Sequence, residues 1–214
     1  MVHAEKNLAF RRDNLRAPTA KFYERGAESY YDKTIGANLG GLRERFQAHL
    51  VPGGCILDVG SGSGRDTKAF IEAGFRVDAF DQSVGLAKLS SKLTGQRTSV
   101  QRFEDWRSPG PIYDGIWAFA SLLHVRRDDL SHVVSELARA MKPGAWFFAS
   151  FKLGVGDTVD AQGRAFTNLT RPEAFDLFQN AGAFSTVDVW LDEAIASHGD
   201  KTTWVYILAQ KSSS

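Results

Sequence analysis

A doubly wound α/β fold, built on a mostly parallel seven-stranded sheet with an antiparallel closing strand pair, is the architecture this sequence predicts. Three observations carry it. Short apolar runs alternate with stretches of helical periodicity from residue 51 onward, the pattern of a parallel sheet covered on both faces. The first of these runs, Cys55–Val59, leads directly into a glycine-rich turn, Gly60–Gly64. The last two strand patterns are separated only by a polar segment short enough for antiparallel pairing.

The first 18 residues are polar and irregular up to Pro18, and they and the Ser212–Ser214 tail are expected to be flexible. Thr19–Lys33 reads as one helix rich in aromatics, with Phe22, Tyr23, Tyr30 and Tyr31. Leu42, Phe46 and Leu50 set a second helix over Leu39–Leu50, so that 19–50 forms a helical cap ahead of a 51–211 core. Cys55–Val59 is a buried strand after the Pro52–Gly54 turn. The next helix carries Ala69, Phe70 and Ala73 on one side and stops at Gly74, where a left-handed cap forms readily. Arg76–Phe80 is the second strand. Ser83 is the N-cap of a helix that turns Leu86, Ala87, Leu89 and Leu93 inward. Thr98–Phe103 and Gly115–Ala120 are strands three and four. Leu130, Val133, Val134, Leu137 and Met141 step along one face of the next helix, which Lys142, Pro143 and Gly144 end. After a fifth strand, Trp146–Phe151, the polar and glycine-rich Lys152–Leu169 is expected to be a functional loop bordering the site. Thr170 and Glu173 make a capping box for a helix that buries Phe175, Leu177 and Phe178 and closes at Gly182. Phe184–Trp190 and Thr203–Gln210 complete the sheet.

A chain of 214 residues suits one domain of this kind. Its 43% hydrophobic and 24% charged residues are those of an ordinary soluble protein. With 26 Lys and Arg against 25 Asp and Glu, the net charge of +1 supplies no field to recruit a polyanion, so nucleic acid is not favoured as a partner. The single cysteine, Cys55, cannot form an internal disulfide, which suits a reducing compartment. Residues 1–14 contain no apolar signal core and no window reaches the length of a membrane span, so a cytoplasmic protein with no membrane partner is expected. No HExxH or CxxC pattern points to a metal. Asp128 and Asp129 could be read as metal ligands, but at a helix start they are more simply explained as charges favoured by the helix dipole.

The chemistry lies in CILDVGSGSGRD, Cys55 to Asp66. Gly60 and Gly62 have no side chain to hold a nucleoside away from the backbone, and Asp58, just ahead of the turn, can accept a hydrogen bond from an ammonium. Asp81 ends the second strand 21 residues after Gly60, where a carboxylate can accept both hydroxyls of a ribose. Together they describe a nucleoside cofactor. The dinucleotide fingerprint GxGxxG would need glycine at position 65, where this chain has Arg65.

With Asp58, Gly60, Gly62 and Gly64, the segment resembles the E/DxGxGxG motif of the class I S-adenosylmethionine-dependent methyltransferases. The resemblance continues through Asp81 of FDQS, Phe103 and Glu104 of RFEDW, YDGIWAFASLLH and LARAMKPGAW, and covers Tyr30 to Lys211. Ala145 departs from a glycine usual in that family, at the far end of the sheet. SLLH, SFKLG and GRAF resemble small bacterial methyltransferases related to the tellurite-resistance enzymes. The resemblance implies a Rossmann-like fold, S-adenosylmethionine as cofactor and S-adenosylhomocysteine as product. It implies that Asp58, Gly60, Ser61, Gly62 and Arg65 meet the cofactor at the turn and that Asp81, with Gln82 and Ser83 beside it, holds the ribose. Phe103 and Glu104 would flank the adenine, Ala118 and Ser121 would lie near the methionine part, and Tyr30 and Tyr31 would close over it.

The acceptor side is read from fewer residues. His124 is either a base for a hydroxyl or ammonium acceptor or a hydrogen-bonded structural histidine. Lys152 and Arg164 either attract an anionic acceptor, a metalloid oxyanion included, or are solvated charges. Tyr23, Tyr30 and Tyr31 could form an aromatic lid, although packing explains aromatics at helical spacing as well. Trp204 reads as core. The chain lacks the Pro-Pro-aromatic signature of amino-directed DNA methyltransferases and the cysteine of cytosine C5 enzymes, which leaves a small-molecule acceptor as the expectation. The competing readings are a non-catalytic nucleoside-binding sensor or partner protein and an NAD-dependent oxidoreductase. The latter would want glycine at 65 and a catalytic Tyr/Lys set.

Overall fold

The computed structural model describes residues 17–181, 184–195 and 201–213. The expectations for the flexible first 16 residues, for Gly182 as a helix stop and for the middle of the last connection fall outside them. Helices α1 (Ala17–Arg25), α2 (Ala27–Thr34) and α3 (Gly40–Gln47) precede β1 (Cys55–Val59), α4 (Arg65–Glu72), β2 (Arg76–Asp81), α5 (Val84–Thr94), β3 (Thr98–Val100) and β4 (Tyr113–Ala118). A 3-10 turn at Leu122–His124, α6 (Arg127–Arg139), β5 (Met141–Lys152), β6 (Asp157–Val159), β7 (Ala165–Thr167), α7 (Arg171–Asn180), β8 (Phe184–Ile195) and β9 (Lys201–Lys211) complete the order.

The main sheet has seven strands in the order β3-β2-β1-β4-β5-β9-β8. The first five are parallel neighbours, and β8 and β9 form the predicted antiparallel closing pair, with β9 inserted between β5 and β8, a position the sequence reading did not specify. The strand order reverses at β1, which has β2 on one side and β4 on the other, so the crevice beyond its carboxyl end is where such a sheet binds ligands. Among the described residues no helix is long and apolar enough to cross a membrane.

Close packing explains one residue that strand propensity would not choose. Gly115 sits in β4 directly under α3, and a Cβ there would lie 2.7 Å from Phe46 Cζ and 3.0 Å from Leu50 Cδ2. Phe46 is fully buried between Phe70, Trp117 and Phe148, so it has nowhere to move. Gly115→Ala is therefore expected to cost about 1–3 kcal/mol of stability, the range for overpacking a filled core. A lowered midpoint in urea with an unchanged slope would show it.

The structure corrects several sequence expectations. The predicted Thr19–Lys33 helix is two helices, because the chain leaves helical geometry at Gly26 (φ −103°, ψ 18°). Met141 is not the last residue of a helix: α6 ends at Arg139, and Met141 pairs with Tyr113 as the first residue of β5. β3 stops at Val100, so Phe103 lies outside the strand, and β4 ends at Ala118, before Ala120 takes a left-handed φ of 50°. The expected Lys152–Leu169 loop contains a hairpin, β6 with β7, whose Ala165, Phe166 and Thr167 are all buried. Phe175 points outward, 42% exposed, since α7 buries Ala174 and Phe178 one turn apart instead. The caps held: Ser83 Oγ accepts from Leu86 N, and Thr170 and Glu173 form the reciprocal box.

Candidate functional site

At the carboxyl end of β1 the chain turns through Gly60, Gly62 and Gly64, all at positive φ (70°, 55° and 79°). Gly60 needs to be glycine twice over: its φ is left-handed, and a Cβ would lie 2.7 Å from Ser121 Cβ and 3.0 Å from the Phe103 ring. The turn is tied to β2 by the amides of Gly60 and Ser61, which both donate to the Phe80 carbonyl. Asp81 completes the tie. Its Oδ2 accepts from Gly62 N at 2.9 Å and its Oδ1 from Ser83 N at 2.8 Å. A carboxylate has about four lone pairs, so these two bonds still leave acceptor capacity facing a small cavity, which Asp81 lines with Gln82, Phe103 and Ser121. Burial pushes the Asp81 carboxyl up to about 6, against the pull of its backbone N–H bonds.

Asp58 is buried and accepts from Thr67 Oγ1 at 2.5 Å. Burial, reinforced by the neighbouring Asp66 charge, pushes it up to about 7. Asp66, by contrast, takes Arg43 at 2.7 Å, Arg65 Nη2 and Nε at 2.8 and 3.0 Å, and Trp117 Nε1 at 3.2 Å. Burial would raise its pKa, but the bonds and charges of Arg65 and Arg43 outweigh it and hold the carboxyl below its ordinary value. Arg65 also donates to the Thr34 carbonyl, so its guanidinium is spent on structure while its side chain lines the larger cavity.

That larger cavity, about 450 Å³, opens beyond the ends of β1, β4 and β5. Asp58, Gly60, Ser61, Gly62 and Tyr30 line it. So do Tyr23, His124, Lys152, Arg164, Phe119, Phe166, Trp204 and Tyr206. His124 Nδ1 lies 2.9 Å from the Ala165 carbonyl, which can only accept, so Nδ1 carries the proton. In the neutral ring, Nε2 then accepts from the Tyr23 hydroxyl at 2.8 Å. Burial pushes the Tyr23 hydroxyl far above its ordinary pKa, which keeps it a donor.

Not every residue named from the sequence faces these cavities. Tyr31 is half-buried on α2 and lines neither, while Tyr23, one helix earlier, lines both. Ala118 is fully buried inside β4, and the two residues after it line the larger cavity instead. Ser83 spends its hydroxyl on Glu24 and on the α5 amide of Leu86. Trp204, expected to be core, is buried yet forms a wall of the site, as does Tyr206. The signal for that wall is period two along β9, whose register sets Trp204 opposite Lys152 and Tyr206 opposite Ser150.

The residues present fit a nucleoside-bearing sulfonium cofactor. Ser61 Oγ, Ser121 Oγ and Glu104 Oε2 are buried without a hydrogen-bond partner, Glu104 having only Arg102 Nε at 3.5 Å. Buried polar atoms are rarely left so in a finished structure. Ser61 is in the glycine turn, and Ser121 with the Phe103 ring bounds the space that a Cβ at Gly60 would fill; Glu104 follows Phe103 in sequence but lines neither cavity.

A methyltransferase-domain family model matches residues 31–171, about two thirds of the chain. Among curated proteins none matches. Among solved structures, the chain is similar to Burkholderia thailandensis 1,6-didemethyltoxoflavin-N1-methyltransferase, solved with 1,6-didemethyltoxoflavin and S-adenosylhomocysteine: TM-score 0.74, 22% identity, 95% of this chain and 90% of that one. It is similar to a Methanosarcina mazei S-adenosylmethionine-dependent methyltransferase, with TM-score 0.72, 18% identity, and coverage of 82% and 99%. It is also similar to Haemonchus contortus phosphoethanolamine N-methyltransferase 2, solved with S-adenosyl-L-methionine, with TM-score 0.70 and 14% identity over 90% of this chain but only 60% of that one. At these identities the shared property is the fold. The chain thus belongs to the methyltransferase-domain family and carries the fold of the class I S-adenosylmethionine-dependent methyltransferases.

Proposed function

We propose that this protein transfers a methyl group from S-adenosylmethionine to a small-molecule acceptor. One observation carries the reading: the glycine turn with Asp58 and the Tyr23, His124, Lys152 and Arg164 group line a single continuous cavity. When bound, the cofactor supplies a methyl group on a sulfonium that leaves as a neutral thioether, so the chain's own task is orientation, desolvation and proton handling. Asp81 with Gln82 holds the ribose, Phe103 lies against the adenine, and Asp58, Ser61 and Ser121 serve the amino-acid end. Tyr30 covers it. Lys152 and Arg164 favour an anionic acceptor. For an acceptor that must lose a proton, the Tyr23–His124 pair is the base, Nδ1 being fixed as donor by Ala165.

The first test is calorimetric titration with S-adenosylhomocysteine, with NADH titrated in parallel. Micromolar binding of the former alone is expected; no binding, or a preference for NADH, would sink the reading. The same titration has an expected pH dependence. Asp58 and Asp81 must be ionised to accept from an ammonium and from ribose hydroxyls, yet in the free protein they hold their protons up to about 7 and about 6. Binding therefore releases protons, and affinity rises with pH until both groups are ionised, then levels off. Titrations in two buffers of different ionisation heat below neutral pH would measure the release; identical apparent heats would remove the two carboxylates from the site.

A further inference from the structure

Resting on the methyl-transfer reading, we infer that the acceptor is a flat aromatic or heteroaromatic anion, with its ring among Phe119, Phe166 and Trp204 and its negative group on Lys152. Three observations lead there. The first is charge. Lys152 and Arg164 both line the larger cavity, and only Arg164 has a carboxylate, Asp160 at 2.7 Å. Among the described residues, no carboxylate lies within ion-pair distance of Lys152. Its ammonium sits 3.7 Å above the centre of the Phe166 ring, half-buried, with the Arg164 guanidinium 5.3 Å from the same centre. Two like charges over one ring, with one counter-charge between them, leave a site that an incoming anion completes.

The second is the walls. Phe119 and Trp204 stack at 5.8 Å and 26°, Phe166 packs beside His124 at 5.0 Å, and Leu123 and Tyr206 close the lining. These are broad apolar faces, suited to a planar ring and wasted on a compact, fully hydrated oxyanion. The third is how firmly the acceptor side is assembled. Thr19 Oγ1 accepts from Ala165 N at 2.8 Å, Tyr23 bonds His124, and Arg164 lies 4.7 Å over Phe22. Helix α1 is thereby fastened to the β6–β7 hairpin and fixes the cavity's outline before any acceptor arrives.

The test uses the full chain saturated with S-adenosylhomocysteine. It is titrated with 4-hydroxybenzoate, indole-3-carboxylate and quinoline-2-carboxylate, with the uncharged amide of each, and with tellurite as a bare oxyanion. The expected result is binding of at least one ring carboxylate, about tenfold or more tighter than its amide and tighter than tellurite. In Lys152→Met that preference falls to near unity, while S-adenosylhomocysteine affinity reports that the fold is kept; Lys152→Arg restores the preference in part. Amides binding as well as acids, tellurite binding best, or no acid binding at all would overturn the acceptor class. Failure of S-adenosylhomocysteine itself to bind would overturn the methyl-transfer reading instead.

Discussion

Replacing Asp66 with alanine is expected to destabilise the protein by about 3–5 kcal/mol, the cost of removing one partner from a buried charge network. The side chains of Asp66, Arg43 and Arg65 are 8%, 17% and 15% exposed, so solvent does little to screen what would be left. Without the carboxylate, two guanidinium groups and the Trp117 indole N–H lose a shared acceptor, and α2, α3, α4 and β4 lose the point at which they meet. The stabilisation has a pH signature. Because the folded-state pKa lies below the ordinary 3.8, it is present above that value and lost as the pH falls below it. Urea unfolding of the variant and the wild type at neutral pH and near pH 3 measures both effects. A difference of under about 1 kcal/mol at neutral pH, the size of an exposed pair, would show that the network is solvent-screened.

Asp81→Ala is expected to lower S-adenosylhomocysteine affinity about a hundredfold, equal to roughly 2.7 kcal/mol. Two losses combine. A ribose hydrogen bond to a charged acceptor is worth about 1.5–3 kcal/mol. The amides of Gly62 and Ser83 also lose their acceptor, which frees the glycine turn after β1. Asp81→Asn separates the two, because its carbonyl oxygen can still accept from one amide while the charge is gone. Its affinity should fall between the other two. Calorimetry decides, and a variant that binds as wild type would move the ribose elsewhere.

Much of this site is written in contiguous sequence. The turn from Asp58 to Gly64 needs glycine because positive φ and a 2.7 Å approach leave no room for a Cβ, and Asp81 follows at the next strand's end because the βα unit between them has a set length. The Ser83 cap and the Thr170–Glu173 box are equally local, each closed within three residues. Such features depend on backbone geometry over one turn, which residue identity controls directly.

Other features lie outside what local pattern can express. Tyr23 lines the cavities only because α1 crosses to within 2.8 Å of His124, 101 residues away in sequence. Tyr31, chemically equivalent and on a neighbouring helix, does not reach either cavity. Met141 continues the helical period of Leu130 to Leu137, yet pairing with Tyr113 claims it for β5. The Lys152–Leu169 segment is polar enough to read as loop, but its Ala165, Phe166 and Thr167 are covered by the 3-10 turn and helix α1.

The sequence by itself determined the parallel sheet, its antiparallel closing pair and the glycine turn after β1, since each rests on periodicity or on steric limits within a few residues. Only the tertiary structure decided which aromatics are walls and which are packing, and that Lys152 shares a ring with Arg164. Those outcomes follow from distances between elements far apart in the chain, set by how whole faces pack rather than by any one residue's preference.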